Sequence, residues 1–439
     1  MGIKRDIIHQ LVQWKDKANR KPLIIQGARQ IGKTWVMKEF GRMYFKHVAY
    51  FNFDRTEELA REFELTKDPQ RLLKNLTLYC SEPLIPGQTL IIFDEIQECN
   101  KALNSLKYFC EEAPDYHILA AGSLLGVSLS KGDSFPVGKV EFLQMYPVSF
   151  REFLFEDNPR MYAYLEEKAD LAALPEIVMG ELLDSWRHYQ ICGGMPAAAM
   201  EMVEHRGVEA AEARLDEVLK AYALDFAKHA PGSQIPRISA IWNSIPSQLA
   251  REKRKFLYKL VKPGARARDY EDALLWMEHA GLIYRVFCLS KPGLPLNGYE
   301  DVSAFKIYLS DAGLLRRLAK LPAEVLTQDE GALYKEFKGA MTENAVLQSL
   351  LAASELKPCY WTSGATAEVD FVLQFDTQVI PIEVKSGVSL QGKSLGVYRN
   401  RFSPALSLRY SMKNLRYEEG LLNIPVFLTD WTRKWVRMV

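Results

Sequence analysis

Apolar residues recur along the chain in two rhythms, and the switches between them divide it into three parts. Up to about residue 150, short β-rich runs at 22–26 (PLIIQ), 47–53 (HVAYFNF), 89–95 (TLIIFDE) and 116–122 (YHILAAG) alternate with helical stretches such as 100–113. That alternation predicts a mostly parallel sheet with flanking helices. From about 150 to 285 the strand rhythm fades, and runs such as 209–229 carry apolar residues at helical spacing. Beyond the Gly/Pro loop at 293–300, strand runs return at 304–310, 367–375, 378–387 and 424–430, with a helix expected over 331–356. The pattern predicts an α/β domain over 1–155, a helical middle over 156–295 and a second α/β domain over 296–439. Neither a tandem repeat nor a low-complexity tract interrupts it.

Composition adds constraints. A chain of 439 residues exceeds what one hydrophobic core usually covers. With 56 basic against 55 acidic residues, any preference for nucleic acid or membrane has to be local. The six cysteines (Cys80, Cys99, Cys110, Cys192, Cys288, Cys359) form no C-x-x-C pair, which fits core thiols in a reducing compartment. The first residues lack an apolar signal core, and the uncharged run at 118–130 is too short to span a bilayer, so a cytoplasmic protein without a membrane partner is expected.

The first β run leads into Gly27-Ala28-Arg29-Gln30-Ile31-Gly32-Lys33-Thr34, which reads G-x-x-x-x-G-K-[ST]. Glycines let backbone N–H groups wrap a polyphosphate, and the following helix aims its positive end at that charge. Lys33 is then the partner of the β- and γ-phosphates, and Thr34 a ligand of Mg²⁺. Asp94 and Glu95 follow the apolar run 90–93. Read alone, such a pair is an ordinary solvated strand end. After a buried-type strand downstream of a P-loop it fits a Walker B site, with Asp94 anchoring Mg²⁺ and Glu95 polarising the attacking water.

The segments GARQIGKT, LIIFDEIQE, AAGSLLG and FPVGKVEFLQMYPVSFREFL, in this order, resemble a large family of bacterial and archaeal AAA+-type ATPases. ICGGMPAA, SIPSQLAREKRKF, LLWMEHAGLI, FKIYLSDAGLL and the 367–387 region are similar to the same family's middle and C-terminal domain. The resemblance implies ATP and Mg²⁺ as ligands, a homo-oligomer with sites between subunits, and Ser123 as a γ-phosphate sensor; a helix N-cap is the other reading of Ser123. Where the family often carries an arginine, this chain has Lys139, which lacks the forked geometry of an arginine finger. Arg151 and Arg187 are the remaining candidates.

Downstream, Asp370 in EVDF and Glu383 with Lys385 in IEVKSG resemble the PD-(D/E)xK nuclease arrangement. That resemblance implies a hairpin bringing Asp370 and Glu383 to one divalent ion, with Lys385 beside the reacting phosphate and Glu343 or Glu368 as a further carboxylate. A plain amphipathic hairpin with solvated charges is the alternative. In the middle, 251–268 holds eight basic residues and one acidic residue, and with the helix and β runs that follow it fits a winged-helix-like module. Acidic residues on that helix (Asp269, Glu271, Asp272, Glu278) work against phosphate binding, and a solvated face is the alternative. Three functions follow: an ATP-hydrolysing switch or motor acting on a nucleic-acid or protein partner, an ATP-regulated metal-dependent nuclease, and a nucleotide-binding module with little turnover.

Overall fold

The computed structural model describes residues 2–122, 136–251, 254–327, 335–354, 356–364, 367–387 and 392–439. Contacts gather these into two compact units, Met1–Tyr146 with His279–Gly281, and Pro147–Glu278 with Leu282–Val439.

The first unit is built on β1 (Leu23–Gln26), β2 (His47–Asn52), β3 (Thr89–Asp94), β4 (His117–Gly122) and β5 (Glu141–Gln144). They form one parallel five-stranded sheet in the order β2-β3-β4-β1-β5. Every residue of β3 and β4 is buried, as expected of central strands with helices on both faces. The edge strand β5, EFLQ, alternates instead between half-buried and exposed. Its shortness and polar alternation hid it from the apolar rhythm. The helices are α1 (Ile7–Lys15), α2 (Lys33–Tyr44), α3 (Glu57–Leu65), α4 (Pro69–Leu76) and α5 (Asn100–Glu112). Edge-to-face packing of Phe53, Phe63, Phe93 and Phe109 marks the core on the side of α3 to α5.

The second unit begins with α6 (Phe150–Asp157), α7 (Pro159–Glu167), α8 (Glu176–Cys192), α9 (Pro196–His205), α10 (Val208–His229), α11 (Ile235–Leu249), α12 (Tyr258–Val261) and α13 (Ala267–His279). Ser149 and Glu152 close a capping box at the start of α6, the sequence signal that ends the preceding loop. Then come β6 (Ile283–Leu289), β7 (Glu300–Leu309), α14 (Ala312–Leu318), α15 (Glu324–Thr327), α16 (Lys335–Ser354), β8 (Cys359–Thr362), β9 (Glu368–Phe375) and β10 (Gln378–Val384). The unit ends with α17 (Lys393–Phe402), β11 (Ser407–Ser411), β12 (Arg416–Glu418), β13 (Leu421–Pro425) and α18 (Thr432–Val436). Its mixed eight-stranded sheet runs β12-β13-β11-β10-β9-β8-β6-β7. β9 and β10 form the expected hairpin, with Ile382 opposite Phe371.

One expected strand is corrected. The run 424–430 continues β13 only to Pro425 and then turns into a 3₁₀ helix, Val426–Trp431. Pro425 offers no N–H to a ladder, and the hydroxyls of Thr429 and Thr432 bond back to the carbonyls of Val426 and Thr429. The apolar run is buried throughout, so its composition alone does not separate strand from helix. All six cysteines are free thiols, four buried and two half-buried. Among the described residues, no helix is long and apolar enough to cross a membrane.

Candidate functional site

The P-loop leaves β1 at Gln26 and enters α2 at Lys33. Two of its glycines meet demands no other residue meets. Gly27 has φ +148°, and a Cβ there would lie 2.3 Å from the Met145 carbonyl oxygen; Gly32 has φ +93° at the N-cap of α2. Buried Arg5 ties the loop down, donating to the carbonyls of Ile31 at 2.9 Å and Tyr146 at 2.6 Å.

Lys33 folds over the loop, its ammonium donating to the carbonyls of Gly27 at 2.9 Å and Ala28 at 2.7 Å. Burial pulls its pKa down to about 8, against the raising pull of Glu95 and Asp94. The loop thus brings an ammonium, and the first turn of α2, to the place where a polyphosphate is expected. One turn of chemistry later, Thr34 Oγ1 donates to Asp94 Oδ2 at 2.7 Å, joining α2 to the end of β3. A hydroxyl and a carboxylate so close are hard oxygen donors of the kind Mg²⁺ takes, and the residues present fit that ion.

Sequence reasoning missed Tyr50 on β2. Its hydroxyl donates to the same Asp94 Oδ2 at 2.8 Å and accepts from Asn52 at 3.1 Å. Burial pushes the phenol up to about 12, so it remains a donor at neutral pH. A tyrosine inside a β run carries no motif, and only the parallel register that sets Asn52 beside Asp94 shows its role. Glu95 adopts a left-handed backbone, φ +51°, and Gln97 donates to its Oε2 at 2.5 Å. That backbone costs a non-glycine residue some strain, and here it follows a central strand.

The other predicted site residues are scattered. Ser123 lies outside the described residues. Lys139 pairs with Glu111 at 2.8 Å, both side chains 43% exposed. Arg187 pairs with Asp184 on its own helix, and Arg151 in the second unit pairs with Glu166 while its backbone N–H donates to Asp430.

In the second unit the carboxylates already carry partners. Asp370 accepts from the backbone N–H of Val384 at 2.8 Å across the hairpin. Glu383, 4% exposed, is held by Arg409 at 2.9 Å and Lys385 at 3.2 Å. Glu343 pairs with Arg254 and accepts from the Tyr308 hydroxyl at 3.1 Å. Glu368 pairs at 2.5 Å with Lys306, which is fully buried. Burial works against the charge of Lys306, yet Tyr308, Glu368 and Asp370 together raise its pKa above the ordinary lysine value. Among the described residues, no group of three or more His, Cys, Asp or Glu is placed to hold a metal ion. On α13, Glu271 and Glu278 both pair at 2.7 Å with Arg285 of β6, which takes up two of the four acidic charges set against the basic segment.

Three stretches of the chain match known families. Residues 19–154 match a family described as an AAA domain, and 183–325 and 338–427 match two domains of unknown function. No curated protein matches the chain in sequence. Among solved structures, the Walker-type ATPase PABY2304 of Pyrococcus abyssi is 14% identical, with a TM-score of 0.44 over 73% of this chain and 96% of that one. The Aeropyrum pernix Orc1 protein in complex with DNA is 13% identical, with a TM-score of 0.30 over 75% and 96%. The Thermotoga maritima RuvB Holliday junction branch migration motor is 13% identical, with a TM-score of 0.29 over 65% and 90%. The first unit is thus an α/β P-loop fold, a parallel sheet with flanking helices, in the region that matches an AAA domain.

Proposed function

We propose that the chain hydrolyses ATP with Mg²⁺ and uses the cycle as a switch or motor on a nucleic-acid or protein partner. Lys33 exchanges the carbonyls of Gly27 and Ala28 for the β- and γ-phosphate oxygens. Thr34 and Asp94 hold Mg²⁺, which when bound draws charge from the phosphate oxygens. Glu95 accepts the proton of the attacking water once Gln97 releases it. The observation that carries this reading is the 2.7 Å contact between Thr34 and Asp94, because it unites the two halves of a metal site from separate elements.

Phosphate release and nucleotide binding in Lys33→Ala and Glu95→Gln test it. Binding is expected to fail in the first and persist in the second, with turnover lost in both; turnover equal to the parent in either variant rejects the assignment.

A slow-turnover form of the same function is supported by Lys139, which is engaged by Glu111 within its own unit and lacks the arginine fork. Faster hydrolysis then depends on a cation from a neighbouring subunit, as in a homo-oligomer. For the partner, support comes from the order α11, α12, α13 and the antiparallel β6–β7 hairpin, a winged-helix-like order, with Lys259, Lys262, Arg266 and Arg268 exposed along it. Cleavage by the C-terminal region is not part of the proposal, since Glu343, Glu368 and Glu383 are paired with protein cations and Asp370 accepts from the Val384 backbone.

A further inference from the structure

The hairpin β9–β10 and helix α16 supply carboxylates in the pattern that a PD-(D/E)xK enzyme fills with a divalent ion. We propose that in this chain the ion is replaced by internal cations, with Lys306 of β7 supplying the central positive charge, so that the region is a closed, metal-free ion-pair core and no nuclease.

The inference is independent of the ATP site and rests on four matched groups. Glu368 pairs with Lys306, Glu383 with Arg409 and Lys385, and Glu343 with Arg254. Asp370 spends one oxygen on the backbone of Val384. A divalent ion needs several carboxylate or water oxygens with unused lone pairs, and net negative charge to offset its dehydration. Here the charges cancel within the protein before any ion arrives.

Displacing the internal cation is also unfavourable. Lys306 has no solvent exposure, and its ammonium lies 4.9 Å from the centre of the Tyr360 ring. To give up Glu368 to a metal, it would have to remain charged, buried and unpaired, which is strongly unfavourable. Gly392 lies close to Glu383, where a Cβ would meet Oε1 at 2.0 Å. The Lys306 and Tyr308 positions come from β7, which is remote in sequence from the EVDF and IEVK segments. A motif search over those segments therefore reports the carboxylates and Lys385 without Lys306, Arg254 or Arg409.

The test counts Mn²⁺ bound to the full-length, nucleotide-free chain by electron paramagnetic resonance, in the parent, Asp370→Asn and Asp94→Asn. Asp370→Asn keeps a side-chain oxygen for Val384 and is expected to fold. The expected result is equal Mn²⁺ stoichiometry in the parent and Asp370→Asn, and no Mn²⁺-dependent nicking of plasmid DNA by either. Loss of one Mn²⁺ in Asp370→Asn but not in Asp94→Asn, or nicking that Asp370→Asn abolishes, would overturn the proposal. Lys306→Met addresses the central cation: a folded variant is expected to gain a Mn²⁺ site that Asp370→Asn removes. A folded Lys306→Met with no gained site overturns the role given to Lys306, and should it not fold, the comparison of parent with Asp370→Asn still decides the metal-free claim.

Discussion

At the scale of single residues, the nucleotide site has two features that motifs do not contain. The first is the depressed pKa of Lys33, about 8 in the nucleotide-free protein. Phosphate oxygens favour the charged lysine, so binding raises that pKa and takes up a proton wherever the free protein has lost one. ATP affinity is therefore expected to be flat below about pH 8 and to fall above it, approaching a loss of about tenfold per pH unit. Titration calorimetry in buffers of different ionisation enthalpy reads both the affinity and the proton uptake; affinity unchanged to pH 9.5 would show that Lys33 does not meet the phosphates. The second feature is Tyr50, which with Thr34 fixes one oxygen of Asp94. Partners behind a metal ligand set its orientation, and removing one typically costs roughly 10-fold or more in metal affinity. Tyr50→Phe should weaken Mg²⁺ binding to the ATP complex by that order while leaving ATP affinity in chelator unchanged. A fluorescent ATP analogue titrated with Mg²⁺ separates the two, and unaltered Mg²⁺ affinity would reduce Tyr50 to a packing residue.

At the scale of elements, legibility followed periodicity and failed where contacts are remote. The strands β2, β3 and β4 and the long helix α10 stood out because their burial repeats the sequence pattern directly. Edge strand β5 and the 3₁₀ turn after Pro425 did not, since one is short and polar-alternating and the other is apolar on every side. Within the site, GARQIGKT and FDE were legible because P-loop chemistry fixes residue types at close spacing. Tyr50, Lys306 and Arg254 were not, because each acts through a partner far along the chain. The motifs ICGGMPAA and SDAGLL show the same dependence. Asp311, at the N-cap of α14, accepts from Leu314 N–H at 2.8 Å and from Gly194 N–H at 2.5 Å, with Gln348 donating at 3.2 Å. Gly193 is held at φ +66°, where a Cβ would meet Asp311 Oδ1 at 2.3 Å. These glycines are small so that two turns can close on one carboxylate. Asp311→Ala leaves buried donors unmatched and is expected to cost about 2–3 kcal/mol in urea unfolding; a cost below about 0.5 kcal/mol would mean that water replaces the carboxylate.

At the scale of the whole molecule, each compact unit has an apolar cluster of its own. Phe51, Phe53, Phe63 and Phe93 centre one, and Leu289, Trp361, Val369 and Tyr398 belong to another. The proposed ATP site lies in the first, and the Asp311 junction and the ion-pair core lie in the second. Two compact units are expected to respond separately to perturbation. A ligand that binds only the folded state stabilises by RT ln(1 + [L]/Kd), about 2.7 kcal/mol at a hundredfold excess over Kd. For a unit of this size that is a rise in melting temperature of roughly 5–10 °C. Scanning calorimetry should then resolve two transitions. MgATP should raise one of them, with no rise in Lys33→Ala, whereas Asp311→Ala should lower the other and leave the MgATP-sensitive one in place. A single transition moved by both perturbations would instead show that the two units melt as one cooperative body.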